Sequence, residues 1–322
     1  MEPMLKVENL KTFFPVAASL FGKKKYLKAV NDVSFEVFEN ETFGLVGESG
    51  CGKSTLGRTI VKIYDPTEGK IWFKGKDIST IEGEDLKKFR KEAQMIFQDP
   101  YASLNARMTV GEIIKEPMDI HGLYSSNKEK EEKASELLEI VGLKPDHIRR
   151  YPHEFSGGQR QRISIARTLA LDPSFIVCDE PISALDVSIQ AQIINLLEKI
   201  QAERNISYLF IAHDLGAVKH ISKRIGAMYL GSLVEVGDSN ELYHNPLHPY
   251  TKALLSAIPI PDPRVMRTRA AAAIDGEIPS PLNVPSGCAF RTRCPMAMEK
   301  CAEVTPKLKK VGNSMVACHL YE

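Results

Sequence analysis

The sequence predicts an α/β protein, and three observations carry that prediction. Short β-prone apolar runs at 42–46 (TFGLV), 93–97 (AQMIF), 175–178 (FIVC) and 207–211 (SYLFI) are spaced by helical patterns. Residues 47–55 read GESGCGKST and stand between TFGLV and the helix-like LGRTIVKI at 56–63. The pair Asp179-Glu180 closes FIVC, at the strand end where parallel sheets place ligand-handling groups.

Gly47, four residues, Gly52, Lys53 and Ser54 satisfy the phosphate-loop pattern. Glycines let the backbone curl so that several N–H groups point into one concavity, and the following helix N-terminus favours anions. Lys53 adds a mobile positive charge for β- and γ-phosphates, and the Ser54 hydroxyl is placed to ligate Mg²⁺. Asp179 can hold Mg²⁺, and Glu180 can polarise a water for in-line attack. A plain turn with a helix cap is the bland alternative for that acidic pair, and the phosphate loop weakens it.

Residues 5–14 and 29–38 are β-prone and partly alternating, which predicts an antiparallel sheet ahead of the loop. The basic insert Gly22–Lys25 between them reads as an exposed turn. Phe13 and Phe14 offer a ring for adenine or serve as core. After the loop helix, 69–73 (GKIWF) begins a strand with Gly75-Lys76 as its turn. Gln98 follows AQMIF; its amide oxygen can touch Mg²⁺ and a water, though a solvated glutamine is the default. Residues 109–142 look helical, with an apolar stripe at Ala134, Leu137, Leu138 and Val141. Ser156-Gly157-Gly158 opens another helical pattern as a second anion-ready start, a duplication that suits two chains packed head to tail. His213, directly after SYLFI, is either a surface histidine or a γ-phosphate contact. Residues 228–236 read as a hairpin tipped by Gly231-Ser232.

Net charge is +1, so no global field argues for nucleic acid or acidic lipid. No apolar run has the length of a membrane span, and the first residues lack a signal-peptide layout. The expectation is a cytosolic protein reaching a membrane through a partner. Past Gly237 the texture changes: 245–263 carries five prolines and 277–287 three more, which predicts segments ordered by wrapping on something else, with a boundary near residue 240.

Assembled, these residues resemble the ATP-binding subunits of ABC transporters, nearly end to end. In family terms GESGCGKST is the Walker A loop, FIVCDE (175–180) the Walker B strand with its glutamate, and Gln98 the Q-loop residue. FSGGQ (155–159) is the signature, SALD (183–186) the D-loop and His213 the switch histidine. Phe155 stands where leucine is commoner. The resemblance implies a RecA-like P-loop NTPase core with an antiparallel β subdomain and a helical signature subdomain at about 101–165. ATP would lie against Phe13, Gly47, Ser49, Gly50, Cys51, Gly52, Lys53, Ser54 and Thr55, with Ser156, Gly157, Gly158 and Gln159 supplied by a facing chain. Mg²⁺ would take Ser54, Gln98 and Asp179, while Glu180 serves as base and His213 and Gln98 sense the γ-phosphate.

A narrower resemblance is to the dipeptide/oligopeptide importer branch, carried by FQDPYASLNARMTVGEII, RYPHEFSGGQRQRISIAR, NPLHPYTKALLSAIP and GEIPSPLNVPSGCAF. It implies an ATP-binding domain at 1–240 and an importer-type extension at 241–322. It also implies a heterodimer with a second ATPase on the cytoplasmic face of the plasma membrane, two permeases and an extracytoplasmic peptide-binding protein. A nickel or opine importer, a soluble ABC ATPase and a non-enzymatic docking module are the rival readings.

Cys288, Cys294, Cys301 and Cys318 gather four soft ligands in the extension. Disulfides suit a reducing cytosol poorly, and paired zinc cysteines are usually closer in sequence. Cys294-Pro295 echoes cluster-binding runs, and six Lys/Arg against three Asp/Glu over 286–322 would offset thiolate charge. Family members with this tail bind a [4Fe–4S] cluster, which the resemblance carries to these four cysteines, with zinc or unmetallated thiols as the alternatives.

Overall fold

The computed structural model describes residues 2–16, 25–257 and 276–322. The turn at 22–24 and the prolines at 259, 261 and 263 lie outside the described residues. The chain divides into two compact units, the first from Met1–Phe38, Thr42–Ser79 and Ile211–Glu322, the second from Glu39–Glu41 and Thr80–Phe210.

The first unit opens with the expected antiparallel pair, β1 (Leu5–Val16) and β2 (Lys25–Val37), both longer than the alternation suggests. Leu5, Val7 and Leu10 are buried, and a register shift between Val7 and Leu10 coincides with Asn9 at φ 47°. β3 (Thr42–Val46) is buried at all five positions. α1 (Lys53–Ile60) starts three residues before the apolar pattern, because the left-handed Gly52 releases the chain directly into helix; it stops before Lys62, whose φ is 59°. β4 (Glu68–Phe73) and β5 (Lys76–Asp77) complete a sheet ordered β2-β1-β4-β5. Their turn is Lys74-Gly75, both at positive φ, one residue earlier than glycine placement alone suggests. On β4, Trp72 donates its indole N–H to Glu8 at 2.7 Å, and the Lys70 ammonium sits 5.2 Å over its ring.

The second unit runs α2 (Gly83–Glu92), β6 (Ala93–Ile96), α3 (Pro100–Ser103), α4 (Val110–Ile120), α5 (Asn127–Ile140), α6 (Gly157–Leu169), β7 (Phe175–Asp179), α7 (Val187–Arg204) and β8 (Ser207–Ile211). Its strands order β8-β7-β6, with β6 and β7 parallel from Ala93↔Phe175 to Ile96↔Cys178. The expected helical stretch at 109–142 is two helices. Gly122 takes φ 63° after α4, and Ser126 restarts the chain with a capping box to Glu129, as Thr109 does with Glu112.

The chain then returns to the first unit with α8 (Leu215–Ile221), β9 (Arg224–Tyr229), β10 (Ser232–Asp238), α9 (Ser239–His244) and α10 (Pro249–Ser256). α11 (Lys300–Glu303), β11 (Lys309–Val311) and β12 (Ser314–Val316) follow. Strand order is β11-β12-β10-β9-β3, and β9 runs parallel to β3. The β9–β10 hairpin turns at Leu230-Gly231, with φ 42° and 86°, and not at Gly231-Ser232.

Among the described residues, side chains of the stretch after 240 pack onto β9. Tyr229 of β9 meets Tyr250 at 4.8 Å and Phe290 at 5.2 Å between ring centroids, and Phe290 meets His248 at 5.8 Å. The buried Glu235 of β10 accepts the backbone N–H groups of Leu247 and His248 at 2.8 and 2.9 Å, tying the start of α10 to the sheet. His248 is 1% exposed and accepts the Tyr250 N–H on Nδ1, and burial pushes its pKa down to about 3.

Protonation of His248 therefore favours the unfolded chain: its contribution is complete above the ordinary pKa of 6.5 and falls as pH drops toward 3. The linked loss is roughly 2 kcal/mol by pH 5. His248→Asn keeps a capping acceptor but does not titrate. Thermal unfolding from pH 7 to pH 4 should show a shallower decline for this variant than for the parent.

Candidate nucleotide site

In the first unit the phosphate loop is shaped by backbone that leaves no room for a side chain at positions 47 and 52. A Cβ on Gly52, at φ 108°, would lie 2.0 Å from the Ala29 carbonyl oxygen, and one on Gly47 would lie 2.2 Å from that of Met228. The loop is stitched in place where the Gly231 N–H donates to the Cys51 carbonyl at 2.9 Å and the Asn31 N–H to the Gly231 carbonyl at 2.8 Å. Lys53 is 3% exposed, and its ammonium donates to the carbonyls of Gly47 and Glu48 at 2.7 and 3.1 Å. Ser49 and Gly50 are exposed, and Ser54 and Thr55 half-buried. No side chain caps the first turn of α1, so its leading N–H groups keep their capacity for an anion. Burial pushes the Cys51 thiol up, against the opposing pull of Lys53.

Phe13 and Phe14 are separated by their neighbours. Phe14 packs edge-on against Tyr64 at 5.2 Å, whereas half-buried Phe13 carries the Lys28 ammonium 5.8 Å from its ring centroid. His213, also in the first unit, is exposed just ahead of α8, whose start Asp214 caps by accepting the Gly216 N–H at 2.8 Å.

In the second unit β7 delivers two different carboxyl groups. Asp179 is fully buried, and its charge, after burial itself, raises the neighbouring Cys178 thiol. Glu180 follows at φ 45°, a left-handed conformation that costs a non-glycine residue on the order of 1 kcal/mol and marks functional turns. Its carboxylate accepts the Gln98 side-chain N–H at 2.8 Å, so the structure brings these two sequence candidates together. In this unit the Gln98 carboxamide and the Asp179 carboxylate offer hard oxygen donors of the kind that suit Mg²⁺.

The signature segment begins α6 with a capping box: Gln159 accepts the Ser156 N–H at 3.0 Å, and Ser156 accepts the Gln159 N–H at 3.4 Å. Ser156 and Gly157 are exposed, while Gly158 is buried; a Cβ there would come 2.5 Å from Ile189 Cγ2. Asp186 caps α7 by accepting the Ile189 N–H, and the hydrogen bond from Ser188 lowers its pKa.

The four tail cysteines come within electrostatic reach of one another, each pair raising at least one partner's pKa beyond the effect of burial. Cys301 Sγ also lies 3.5 Å from the Met298 N–H. Among the described residues, however, no three His, Cys, Asp or Glu side chains converge closely enough to hold a metal ion. The donor chemistry fits a cluster or zinc; the placement of the thiols does not. Four of the six basic residues counted over 286–322 bond elsewhere: Arg291 to Ser286, Lys300 and Lys309 to Glu322, and Arg293 to Glu48.

Glu48, Tyr250, Lys28 and Arg293 escaped the sequence reading. Glu48 lies inside the loop pattern at a position where any residue is allowed, and Arg293 is 245 residues away from it.

Comparison with known proteins bears on these features. The family described as "ABC transporter" matches residues 30–183, and "Oligopeptide/dipeptide transporter, C-terminal region" matches 234–301. The oligopeptide transport ATP-binding protein AppF of Bacillus subtilis is 55% identical over 99% of this chain and 98% of its own. The oligopeptide transport ATP-binding protein OppF of Salmonella typhimurium is 51% identical over 98% and 95%. Among solved structures, a dimeric post-hydrolysis ATP-binding cassette bound to ADP and Pi superposes with a TM-score of 0.66 at 26% identity, covering 73% of this chain and 99% of that one.

The loop geometry separates two glycine substitutions. Gly50→Ala meets open space and pays only for its φ of 77°, about 1–2 kcal/mol. Gly52→Ala must also displace the Ala29 carbonyl, so its melting temperature should fall distinctly further; equal losses would remove the close-approach argument.

Proposed function

Because the chain belongs to the ABC transporter ATP-binding family, we propose that ATP bound at residues 47–55 and hydrolysed through Glu180 powers import of di- or oligopeptides. The chain is the ATP-hydrolysing subunit of such an importer, and the match of 234–301 to the oligopeptide/dipeptide-transporter C-terminal family favours peptides over nickel or an opine.

The observation that carries the catalytic assignment is the Glu180–Gln98 hydrogen bond at the left-handed turn after β7. That turn aims a carboxylate away from the buried strand, where it can take a proton from the attacking water. The Gln98 amide holds the carboxylate through its N–H, leaving its oxygen for the cation or the water. Mg²⁺, held by Ser54, Gln98 and Asp179, would neutralise charge on the β- and γ-phosphates. Lys53 is already desolvated among loop carbonyls, so little reorganisation separates it from a phosphate oxygen. Phe13, rather than Phe14, is the adenine platform, since Phe14 is engaged with Tyr64. His213 contacts the γ-phosphate.

The exposed Ser156-Gly157 start of α6 supports a head-to-tail arrangement in which residues 156–159 meet the ATP of a second ATPase subunit, and the similar solved cassette is dimeric. Two permeases, a peptide-binding protein and a peripheral position on the cytoplasmic membrane face complete the assembly. Since ATP favours the closed pair, binding shifts the permeases and hydrolysis resets them.

For the extension we propose a structural [4Fe–4S] cluster on Cys288, Cys294, Cys301 and Cys318, with zinc as the alternative. Mutual electrostatic reach of the four thiols supports the set. Chain purified without oxygen should carry about four iron and four sulfide ions, lost in Cys→Ser variants. Zinc alone, or no metal, would exclude the cluster.

Glu180→Gln should keep ATP affinity within about threefold while turnover of the assembled importer falls by about 100-fold or more. Turnover near the parent level would reassign the base.

A further inference from the structure

We propose that Arg293 is a positioning residue for the phosphate loop: with Tyr250, it lets the cysteine-rich extension brace the loop through Glu48 and so sets the affinity for the nucleotide's phosphates. Neither the family motifs nor the transport role assigns a part to this contact. It rests on residues 47–55 being the ATP-binding loop.

Glu48 is the second residue of that loop and is held from three sides. The Arg293 guanidinium grips its carboxylate with two parallel hydrogen bonds of 2.8 and 2.9 Å, the fork geometry that only arginine provides. The side chains are 5% and 20% exposed, so salt screens the pair poorly. The Glu48 N–H donates to the Tyr250 hydroxyl at 2.8 Å, and that hydroxyl donates on to the Met228 carbonyl at 3.3 Å, the oxygen against which Gly47 is packed. The Glu48 carbonyl accepts from Lys53. A single residue thus connects the extension to the lysine that meets the phosphates.

Arg293 is itself well fixed. Its backbone N–H donates to the Phe290 carbonyl at 3.0 Å, its guanidinium lies 5.9 Å from the Tyr229 ring centroid, and Phe290 packs on both Tyr229 and Tyr250. The brace acts in two ways. It holds the loop in one shape, so that a larger fraction of molecules is competent to bind. It also neutralises a carboxylate that would otherwise repel a polyphosphate arriving at the same loop.

Binding of a fluorescent ATP analogue to the full-length chain tests this. Arg293→Gln should weaken binding about tenfold, Arg293→Lys should fall between it and the parent, and Glu48→Gln/Arg293→Gln should recover most of the loss, because the stranded charge is gone. Melting temperatures of the single and double variants are read beside the affinities: an affinity loss larger than the change in melting temperature explains supports the brace, and affinity that only tracks melting temperature overturns it. Lys53→Ala is the control for the loop itself. If Lys53→Ala abolishes binding while Arg293→Gln binds like the parent, the brace is wrong and the loop assignment stands. If Lys53→Ala binds like the parent, the loop assignment fails and the brace with it. Should Arg293→Gln not fold, Tyr250→Phe carries the test. It removes only the hydroxyl, and should weaken binding about threefold beside a modest fall in melting temperature, because the Glu48 N–H and the Met228 carbonyl lose their partner; unchanged affinity in that variant overturns the proposal.

Discussion

The structure depends on how closely the phosphate-loop backbone approaches two other stretches of main chain. Carbonyl oxygens of Ala29 and Met228 occupy the space where side chains at 52 and 47 would stand, and the Leu230-Gly231 turn is bonded to both β2 and the loop. The loop's curl therefore fits only where strands distant in sequence have come together. The antiparallel sheet, β3 and β9 are the mould, and the loop is cast in it. This explains why Gly52 needs no side-chain cap: its positive φ is enforced from outside.

The second unit solves a complementary problem. β7 is buried at every position, yet must hand a carboxylate to water at its end. It does so by keeping Asp179 inside and turning the chain sharply at Glu180. The energetic penalty of that turn is local and small beside the burial of Phe175, Ile176 and Val177, each worth roughly 1.5–3 kcal/mol. A well-packed strand can thus hold one residue in a conformation it would not choose alone.

Much of this was legible in the chain because the informative features are local. The GxxxxGKS spacing, the acidic pair after FIVC and the SGGQ helix start each depend on neighbours a few residues away, and all three sit where their patterns place them. What escaped depends on backbone sign or on distance. The hairpin tips moved by one residue because such turns need two consecutive positive φ values, and Leu230 and Lys74 accept that conformation although neither looks like a turn former. The stretch at 109–142 broke in two because a serine cap outcompeted helix continuation at 126. The Glu48–Arg293 pair lies across 245 residues, and no periodicity records it. The tail cysteines are a different case: their grouping was visible in sequence, whereas their failure to converge is a property of three-dimensional placement.

The chain has one tryptophan, and it lies on β4 between Glu8 and Lys70. The second unit has none, so it is dark in indole emission. Tryptophan emission, excited at wavelengths tyrosine does not absorb, is consequently a reporter of the antiparallel sheet alone. Followed beside far-ultraviolet dichroism, which sees the helices of both units, it gives an unlabelled optical means of telling which unit melts first.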